Sequence, residues 1–277
     1  MEWLVYERMV NVELIKVAVD GKKCIGCGKC VNDCPSKALK IENGKAVYSG
    51  KCLECGHCVA ICPMNAVVMP EMDMSEVVEY RPGTFDLDPE KLLNTMKFRR
   101  SIRNFRSDIF KPADLERLLM AGRYAPTAKN TQATKFIVVQ KELAEFKKLF
   151  WEMLPAAIEE LNSEGSPAAP ALERFLYEYI ENRKDNFFFN APALILIVTD
   201  NPWDGGLAAD NIELMACAMG AGVLHSGYLK RSIPLSAKLM RWLGIEGRTV
   251  SCCMLAGYPA EKYCRTAPRK RPDFTVR

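Results

Sequence analysis

The stretch CIGCGKCVNDCP, residues 24–35, holds four cysteines and a closing proline within twelve residues. The same spacing starts again 28 residues later as CLECGHCVAICP, residues 52–63. An internal repeat of this kind predicts a pseudo-symmetric module. The cysteines could form a disulfide cluster, which is typical of secreted proteins, or they could bind metal as thiolates in a reducing compartment.

Composition favours metal binding over disulfides. The chain has 277 residues, enough for two domains. The stretch MEWLVYERMVNVELIK lacks the basic start and long apolar run of a signal peptide, and no segment approaches the ~20 apolar residues of a membrane span. We therefore expect a cytoplasmic protein with no membrane contact, where structural disulfides are rare. The net charge of +4, from 38 basic and 34 acidic residues, is too balanced to predict nucleic-acid binding.

The spacing C-x2-C-x2-C-x3-C-P is suited to iron–sulfur clusters. Three cysteines separated by two residues each can wrap three corners of one cubane, and Gly26, Gly28 and Gly56 let the backbone curl around it. The fourth cysteine, followed by proline, is directed to the other cluster. The predicted ligands are Cys24, Cys27, Cys30 and Cys62 for one 4Fe–4S cluster, and Cys34, Cys52, Cys55 and Cys58 for the second.

A zinc module is the alternative for these cysteines. Zinc needs four ligands and favours paired C-x2-C hooks, so the third cysteine of each hook and the proline argue against it. His57 is interpreted as a surface or outer-shell residue. Residues Leu14 to Met69 resemble bacterial two-cluster ferredoxins. A module this small has little core, so the clusters are expected to supply much of its stability.

The chain beyond the repeat is predicted to contain a linker and a second domain. Residues 70–90 carry several prolines and acidic residues and are interpreted as a linker. We therefore expect a ferredoxin-like domain over residues 1–69 and a second domain over residues 91–277.

The second domain is predicted to be α+β, with a sheet covered on both faces. KPADLERLLMAGRYAP has the apolar spacing of a helix that Pro112 opens and Gly122 ends. Runs near Phe136, Ala193 and Thr249 are apolar almost throughout, as strands buried on both faces are.

Two other segments of this domain carry structural predictions. The long stretch between Glu142 and Asn190 is predicted to be mostly helical, with SEGSPAAP as a turn, and its Phe187–Phe189 run fits either core or a substrate pocket. The segment Gly206–Gly222 is predicted to be a helix that is apolar nearly all round. Such a helix is buried in the domain or in a subunit interface.

Two basic runs could bind an anion. RRSIRNF occupies residues 99–105 and PRKRP residues 268–272. Each alone is more typical of a solvated face, although arginine side chains match phosphate oxygens and the two runs could converge on one phosphate.

The motifs RRSIRNF, APTAKNTQATKFIVV, GAGVLHSGYL, LAGYPAE and PRKRP occur in the order expected of the nitroreductase family. The chain from Lys91 to Arg277 therefore resembles that family. The resemblance implies FMN, bound without a covalent bond in a groove between the two subunits of an obligate homodimer.

The resemblance also implies three groups of FMN-contacting residues. The first group lies near the ribityl phosphate, the second reaches the flavin of the partner subunit, and the third lies near the reactive edge of the flavin ring. In that order they are Arg99, Arg100, Ser101, Arg103, Arg269 and Arg271; Pro126, Thr127, Ala128, Asn130 and Gln132; and His225, Ser226 and Gly227.

The chain departs from the family pattern in two places. Many members have an aromatic residue near the position of His225, and a Gln-Asn pair where this chain has Asp210–Asn211. His225 therefore fits either a hydrogen-bond donor to flavin or substrate, or an ordinary core histidine. Inert packing is predicted for Cys217, Cys252 and Cys253. Cys264 lies near the second basic run, and the sequence assigns it no role.

Together these features predict an enzyme, an iron–sulfur flavoprotein in which the clusters pass electrons to FMN and FMN reduces a nitroaromatic or similar small organic acceptor. The expected donor is a low-potential one, a ferredoxin or a reduced nicotinamide cofactor. Other flavin chemistry on the same fold, such as reductive dehalogenation or flavin-consuming ring cleavage, is an alternative. Two further alternatives are a non-catalytic electron carrier or redox sensor, and a nucleic-acid-binding protein.

Overall fold

The computed structural model describes residues 16–83 and 85–277. The chain forms two compact units, divided between Asp86 and Leu87, within the segment interpreted as a linker. Residues 1–15 of the expected ferredoxin-like domain, and Thr84 of the expected linker, lie outside the described residues. Among the helices described, none combines the length and the apolar character needed to cross a bilayer.

The first unit contains short elements connected by cysteine-bearing loops. In chain order they are β1 (Ala18–Val19), α1 (Lys29–Asn32), β2 (Leu39–Glu42), β3 (Lys45–Tyr48), α2 (His57–Ala60) and β4 (Val67–Val68). Strand β1 pairs antiparallel with β4, and β2 pairs antiparallel with β3. A 3-10 turn at Met74–Glu76 lies inside the segment interpreted as a linker.

The two halves of this unit repeat each other closely, as the doubled motif predicts. Helices α1 and α2 each follow a left-handed glycine, Gly28 with φ of 73° and Gly56 with φ of 75°. Each helix also buries the third cysteine of its motif, Cys30 or Cys58. The same backbone path is therefore used twice.

The second unit contains a four-stranded sheet with helices around it. Its elements are α3 (Pro89–Phe98), α4 (Pro112–Arg123), β5 (Lys135–Val139), α5 (Leu143–Ser163), α6 (Ala169–Asn182), β6 (Ala193–Val198), α7 (Pro202–Ala218), β7 (Gly222–His225), α8 (Gly227–Ser232), α9 (Ala237–Trp242) and β8 (Val250–Gly257). Single 3-10 turns occur at Ala128–Asn130 and Ile233–Leu235. The strand order is β5-β6-β8-β7, and every pairing is antiparallel.

The sheet is covered on both faces, which confirms the predicted α+β sandwich. All six residues of β6 are fully buried. Leu194 and Leu196 belong to the core that includes α5, α6 and α9, while Ile195 and Ile197 belong to the core formed with α4 and α7. The alternation follows from the period of two along a strand.

The phenylalanine run that fits either core or a pocket lies in the core. Phe187 and Phe188 are buried, and Phe188 packs edge to face against Phe150 of α5 while Phe187 packs edge to face against Trp151. These aromatic side chains therefore stabilise the face of the sheet opposite α7.

The predicted Gly206–Gly222 helix differs from the observed one. Helix α7 begins earlier, at Pro202, because the side chain of Asn201 caps it by accepting from the Trp203 amide at 3.0 Å. It ends at Ala218, before the left-handed Gly220, and Gly222 already belongs to β7, a strand the sequence did not predict. A Cβ at Gly222 would lie 2.5 Å from Ile102, so this edge strand needs glycine where the segment 99–105 approaches it.

Candidate functional site

Two cavities in the first unit are each lined by four cysteines. Cys24, Cys27, Cys30 and Cys62 line one of about 350 Å³, counting space open to solvent. Cys34, Cys52, Cys55 and Cys58 line the other, of about 300 Å³ on the same measure. The structure thus brings together each of the two predicted ligand sets, with three cysteines from one motif and the fourth from the other.

Backbone amides point at several of these sulfurs. The Ala38 amide donates to Cys34 Sγ at 3.2 Å, and the Ala66 amide donates to Cys62 Sγ at 3.3 Å, at matching places in the two motifs. The Glu54 amide donates to Cys52 Sγ at 3.2 Å. Amide–sulfur hydrogen bonds stabilise thiolates and tune the potential of iron–sulfur clusters, so this donor set fits such clusters.

Hydrogen bonds of this kind lower the pKa of two of the thiols, Cys24 and Cys34. The amides of Ala46 and Gly26 hold the pKa of Cys24 below its ordinary value. Burial raises the pKa of Cys34, but hydrogen bonds from the Ser36 hydroxyl and neighbouring amides outweigh it, so the net pKa is lowered. A lowered pKa shifts the balance of these two thiols toward the thiolate, the form that binds iron.

The third cysteine of each motif has the opposite shift. Burial raises the pKa of Cys30, and it raises the pKa of Cys58 to about 11. A metal cluster binding there must displace the proton of each thiol. His57 lines the second cavity, but it is exposed and its Nδ1 lies 3.2 Å from the Asp33 carboxylate, the position of a surface residue.

In the second unit, the basic segment 99–105 runs beside β7. The Ile102 amide donates to the Val223 carbonyl at 3.0 Å, and the Phe105 amide donates to the Phe189 carbonyl at 3.1 Å. Phe105 also forms a bridge with Pro259, just after β8. These contacts fix the backbone from which the arginine side chains extend.

Arg99 and Arg100 have different partners. The Arg99 guanidinium contacts Asp210 and also Glu213 of α7, the latter at 3.3 Å. The Arg100 guanidinium donates to the Arg265 carbonyl at 2.7 Å and stacks over Tyr263 at 4.2 Å. Arg100 therefore connects the first basic run, residues 99–105, with the segment just before the second basic run, residues 268–272.

A cavity of about 690 Å³, counting space open to solvent, lies between these arginines and β7, and we call it the arginine cavity. Arg99, Arg100, Ile102, Glu213, Val223 and Tyr263 help to line it. The Nε atoms of Arg99 and Arg100 are buried and have no acceptor among the residues that the structure describes. Buried guanidinium donors that lack acceptors beside a cavity fit an anionic group such as a phosphate.

The other predicted phosphate residues are exposed. Ser101 and Arg103 face solvent, and within residues 16–83 and 85–277 no carboxylate pairs with Arg103. Arg269 and Arg271 are exposed in the chain after β8 and do not line the cavity. Arg99 differs from these exposed residues, because the carboxylates of Asp210 and Glu213 offset its charge.

The predicted loop from Pro126 to Gln132 has an uncommon backbone. Lys129, Asn130 and Gln132 all have positive φ, at 54°, 53° and 49°. Left-handed residues other than glycine cluster at functional sites. The Gln132 amide donates to Thr127 Oγ1 at 3.0 Å, which closes the loop on itself.

Asp204 holds this loop against the first turn of α7. Its buried carboxylate accepts from the Ala128 amide at 3.1 Å and from the Asn201 side chain at 3.0 Å. Sequence reasoning missed Asp204, although an acid in the first turn after an Asn cap is a recognisable signal. Glu213 lies nine residues further along α7, a rise of about 13 Å, so the loop and the arginine cavity lie at different ends of the helix.

The segment predicted for the flavin edge joins β7 to α8. His225 ends β7 and is 44% exposed, and its Nε2 lies 3.4 Å from the Glu213 carboxylate. The buried Ser226 caps α8 by accepting from the Leu229 amide, and its own amide donates to Cys253. A Cβ at Gly227 would lie 3.3 Å from the Arg231 guanidinium. Sequence reasoning missed Glu213, whose only signal was an acid in a largely apolar helix.

Of the cysteines outside the motifs, inert packing was predicted for Cys217, Cys252 and Cys253, of which Cys253 is buried and the other two are half-buried. Cys253 is buried in β8, and burial raises its pKa strongly. Burial also raises the pKa of Cys252 and of Cys217, the latter with a further contribution from Glu213. Cys264 is exposed.

Comparisons with known proteins match both units. The sequence model of the nitroreductase family matches residues 96–258, which are more than half of the chain. The sequence model of the 4Fe-4S dicluster domain matches residues 16–63. Ferredoxin-2 of Desulfomicrobium norvegicum is 58% identical over 31 residues, which are 11% of this chain and about half, 52%, of that relative.

Solved structures show the fold of the second unit. A nitroreductase of Bacteroides fragilis with bound FMN is 22% identical with a TM-score of 0.56, over 67% of this chain and 98% of that one. A nitroreductase of Desulfitobacterium hafniense, also with bound FMN, is 22% identical with a TM-score of 0.54, over 68% of this chain and 98% of that one.

Proposed function

Because the chain belongs to the nitroreductase family, and carries a 4Fe–4S dicluster-type domain as well, we propose that it is an FMN-dependent iron–sulfur oxidoreductase. In this proposal two 4Fe–4S clusters pass electrons to FMN, which delivers them to a small organic acceptor of the nitroaromatic type. The donor is a low-potential one, a ferredoxin or a reduced nicotinamide cofactor.

The observation that carries the proposal is the pair of four-cysteine cavities in a chain whose larger unit has the nitroreductase fold. Each cavity takes three cysteines from one motif and one from the other, the pattern by which two-cluster ferredoxins hold their clusters. The proposed ligand sets are those of the two cavities, Cys24, Cys27, Cys30 and Cys62, and Cys34, Cys52, Cys55 and Cys58.

We assign the FMN phosphate to the arginine cavity. The unpaired donors of Arg99 and Arg100 support this, and Ser101 and Arg103 follow on the same segment. The exposed Arg269 and Arg271 would close on the phosphate from the chain after β8. FMN, when bound, supplies the step from single-electron donors to a two-electron acceptor, and this chain's residues bind and orient it.

We also propose a homodimer, with FMN in a groove between the subunits. Helix α7 leaves Trp203 80% exposed and Leu207 44% exposed, one turn apart, and α3 exposes Leu93, Met96 and Phe98. Exposed apolar side chains at this density are typical of an interface. Within one chain, the length of α7 separates the Pro126–Gln132 loop from His225. In a dimer, the second subunit would bring its own Pro126–Gln132 loop to the flavin.

Anaerobic purification followed by metal, sulfide and flavin counts tests the proposal. We expect about eight irons and about eight acid-labile sulfides per chain, with about one FMN per chain released on denaturation. Cys27→Ala and Cys55→Ala should each lose about half of the iron, because each removes a ligand from a different cavity. Stoichiometric zinc without acid-labile sulfide would contradict the cluster assignment, and absence of flavin after incubation with FMN would contradict the flavin assignment.

A further inference from the structure

We propose that Glu213 is a positioning residue of the flavin site. Its carboxylate fixes the imidazole of His225 in one orientation and one tautomer, and it also contacts Arg99. The inference rests on the proposed function, because it concerns two residues assigned to FMN. Glu213 itself belongs to none of the three predicted groups.

Glu213 is the point at which two separate parts of the candidate site meet. Its side chain is only 16% exposed, on α7, and the same Oε2 atom lies 3.3 Å from Arg99 Nη1 and 3.4 Å from His225 Nε2. Arg99 comes from the segment before α4, and His225 from the end of β7. One carboxylate thus links the predicted phosphate side of the site to the predicted ring edge.

A carboxylate imposes a direction on the imidazole because an ionised carboxylate only accepts hydrogen bonds. In the proposed arrangement the Nε2 atom of His225 carries the proton and donates it to Glu213. The remaining nitrogen, Nδ1, is left for another partner, and the 44% exposure of His225 leaves room for one. The arrangement sets which ring nitrogen is offered to a bound flavin or substrate.

The titratable and charged groups recorded around this carboxylate, besides His225, come from the segment after α3 and from α7 itself. Arg99 lies on the segment after α3, Asp210 one turn earlier on α7, and Cys217 one turn later, where Glu213 contributes to its raised pKa. Asp210 contacts Arg99 but makes no contact with His225 in the described part of the chain. Asp210 is therefore a natural control for Glu213, because only Glu213 reaches the imidazole.

Nitrogen-15 NMR of the full-length protein, labelled at histidine, tests the inference. The chain has only two histidines, so a His57→Asn variant assigns the His225 signals. At a pH where the ring is neutral, wild type should show Nε2 protonated and Nδ1 unprotonated. Glu213→Ala should move both nitrogen shifts toward the average of the two tautomers, and Glu213→Gln, which keeps an acceptor, should stay nearer to wild type. Asp210→Ala should leave both shifts unchanged.

The affinity for FMN is the second measurement. Fluorescence titration should show Glu213→Ala weakening FMN binding about tenfold, the scale of one or two net hydrogen bonds. Asp210→Ala, in which Arg99 retains Glu213, should stay within about threefold of wild type, below that scale.

Three results would overturn the inference: an unprotonated Nε2 in wild type, nitrogen shifts that Glu213→Ala leaves in place, or equal changes in the Glu213 and Asp210 variants. Unchanged FMN affinity in Glu213→Ala would overturn the role in the flavin site. If wild type bound no FMN at all, the proposed function would fail, whereas the nitrogen shifts, measured without FMN, would still decide the Glu213–His225 contact. If Glu213→Ala does not fold, Glu213→Asp, whose shorter side chain withdraws the carboxylate from His225, takes its place in the comparison with Asp210→Ala.

Discussion

Replacing Gly26 by alanine is expected to destabilise the first unit more than replacing Gly28, although both glycines belong to one cysteine loop. Both have left-handed backbones, with φ of 68° and 73°. A Cβ at Gly26 would lie 2.1 Å from the carbonyl oxygen of Gly44, in the turn between β2 and β3. A Cβ at Gly28 would meet no described atom within 4 Å.

The difference between the two variants isolates the steric contact. A left-handed conformation costs a residue with a Cβ about 1–2 kcal/mol, and both variants share that cost. In Gly26→Ala the loop and the turn must also move apart until the contact exceeds 3.0 Å. Such overpacking adds about 1–3 kcal/mol. The second motif supports this reasoning, because Glu54 stands at the place of Gly26 and has φ of 55°. The contact with Gly44, rather than the backbone angle, therefore requires glycine at residue 26.

The assay is the rate at which cluster absorbance bleaches in a fixed concentration of guanidinium under argon, since cluster loss is irreversible and stability is then a rate. Gly26→Ala should bleach about five- to 150-fold faster than Gly28→Ala, the kinetic equivalent of about 1–3 kcal/mol. Equal bleaching rates in the two variants would refute the steric argument and indicate that the turn moves away without cost.

Three further predictions concern the second unit. Arg103→Ala and Arg271→Ala should each weaken FMN retention by roughly 1.5–3 kcal/mol, the range for hydrogen bonds to charged groups, and unchanged affinity in both would make the basic runs solvated surface. Light scattering should give a dimer that Trp203→Glu weakens, because that side chain is 80% exposed on α7, and a monomer with FMN bound would count against the shared groove. Iodoacetamide should label the exposed Cys264 under native conditions and leave Cys253 unlabelled, since burial of Cys253 protects it and raises its pKa; mass spectrometry showing the reverse would contradict the packing of β8.

The parts of the fold that the sequence predicted correctly are those with strong local signals. Proline at residue 112 and an apolar stripe predicted α4, and six consecutive apolar residues predicted β6 as a strand covered on both faces. The cysteine spacing predicted which thiols share a cavity, because three cysteines with this spacing must face one point.

The parts that were missed depend on tertiary contacts. Strand β7 has four residues and owes its pairing to β8, far along the chain, so its local pattern is too short to distinguish it from the end of a helix. Glu213 is separated from Arg99 by 114 residues, and nothing near either residue in the sequence indicates that pairing. The contact between the Asp204 carboxylate and the Ala128 amide spans 76 residues, so the sequence near either residue does not indicate it.

Flavin reduction in a stopped-flow spectrophotometer tests most directly whether the clusters feed the flavin. Reduced ferredoxin is mixed with wild type, Cys27→Ala or Cys55→Ala, each reconstituted with FMN and checked for a folded second unit by its circular dichroism. We expect flavin reduction to slow sharply in both variants, while reoxidation of chemically reduced FMN by a nitroaromatic acceptor keeps its wild-type rate. Equal rates of flavin reduction in all three proteins would contradict the proposal and show that electrons enter the flavin without passing through the clusters.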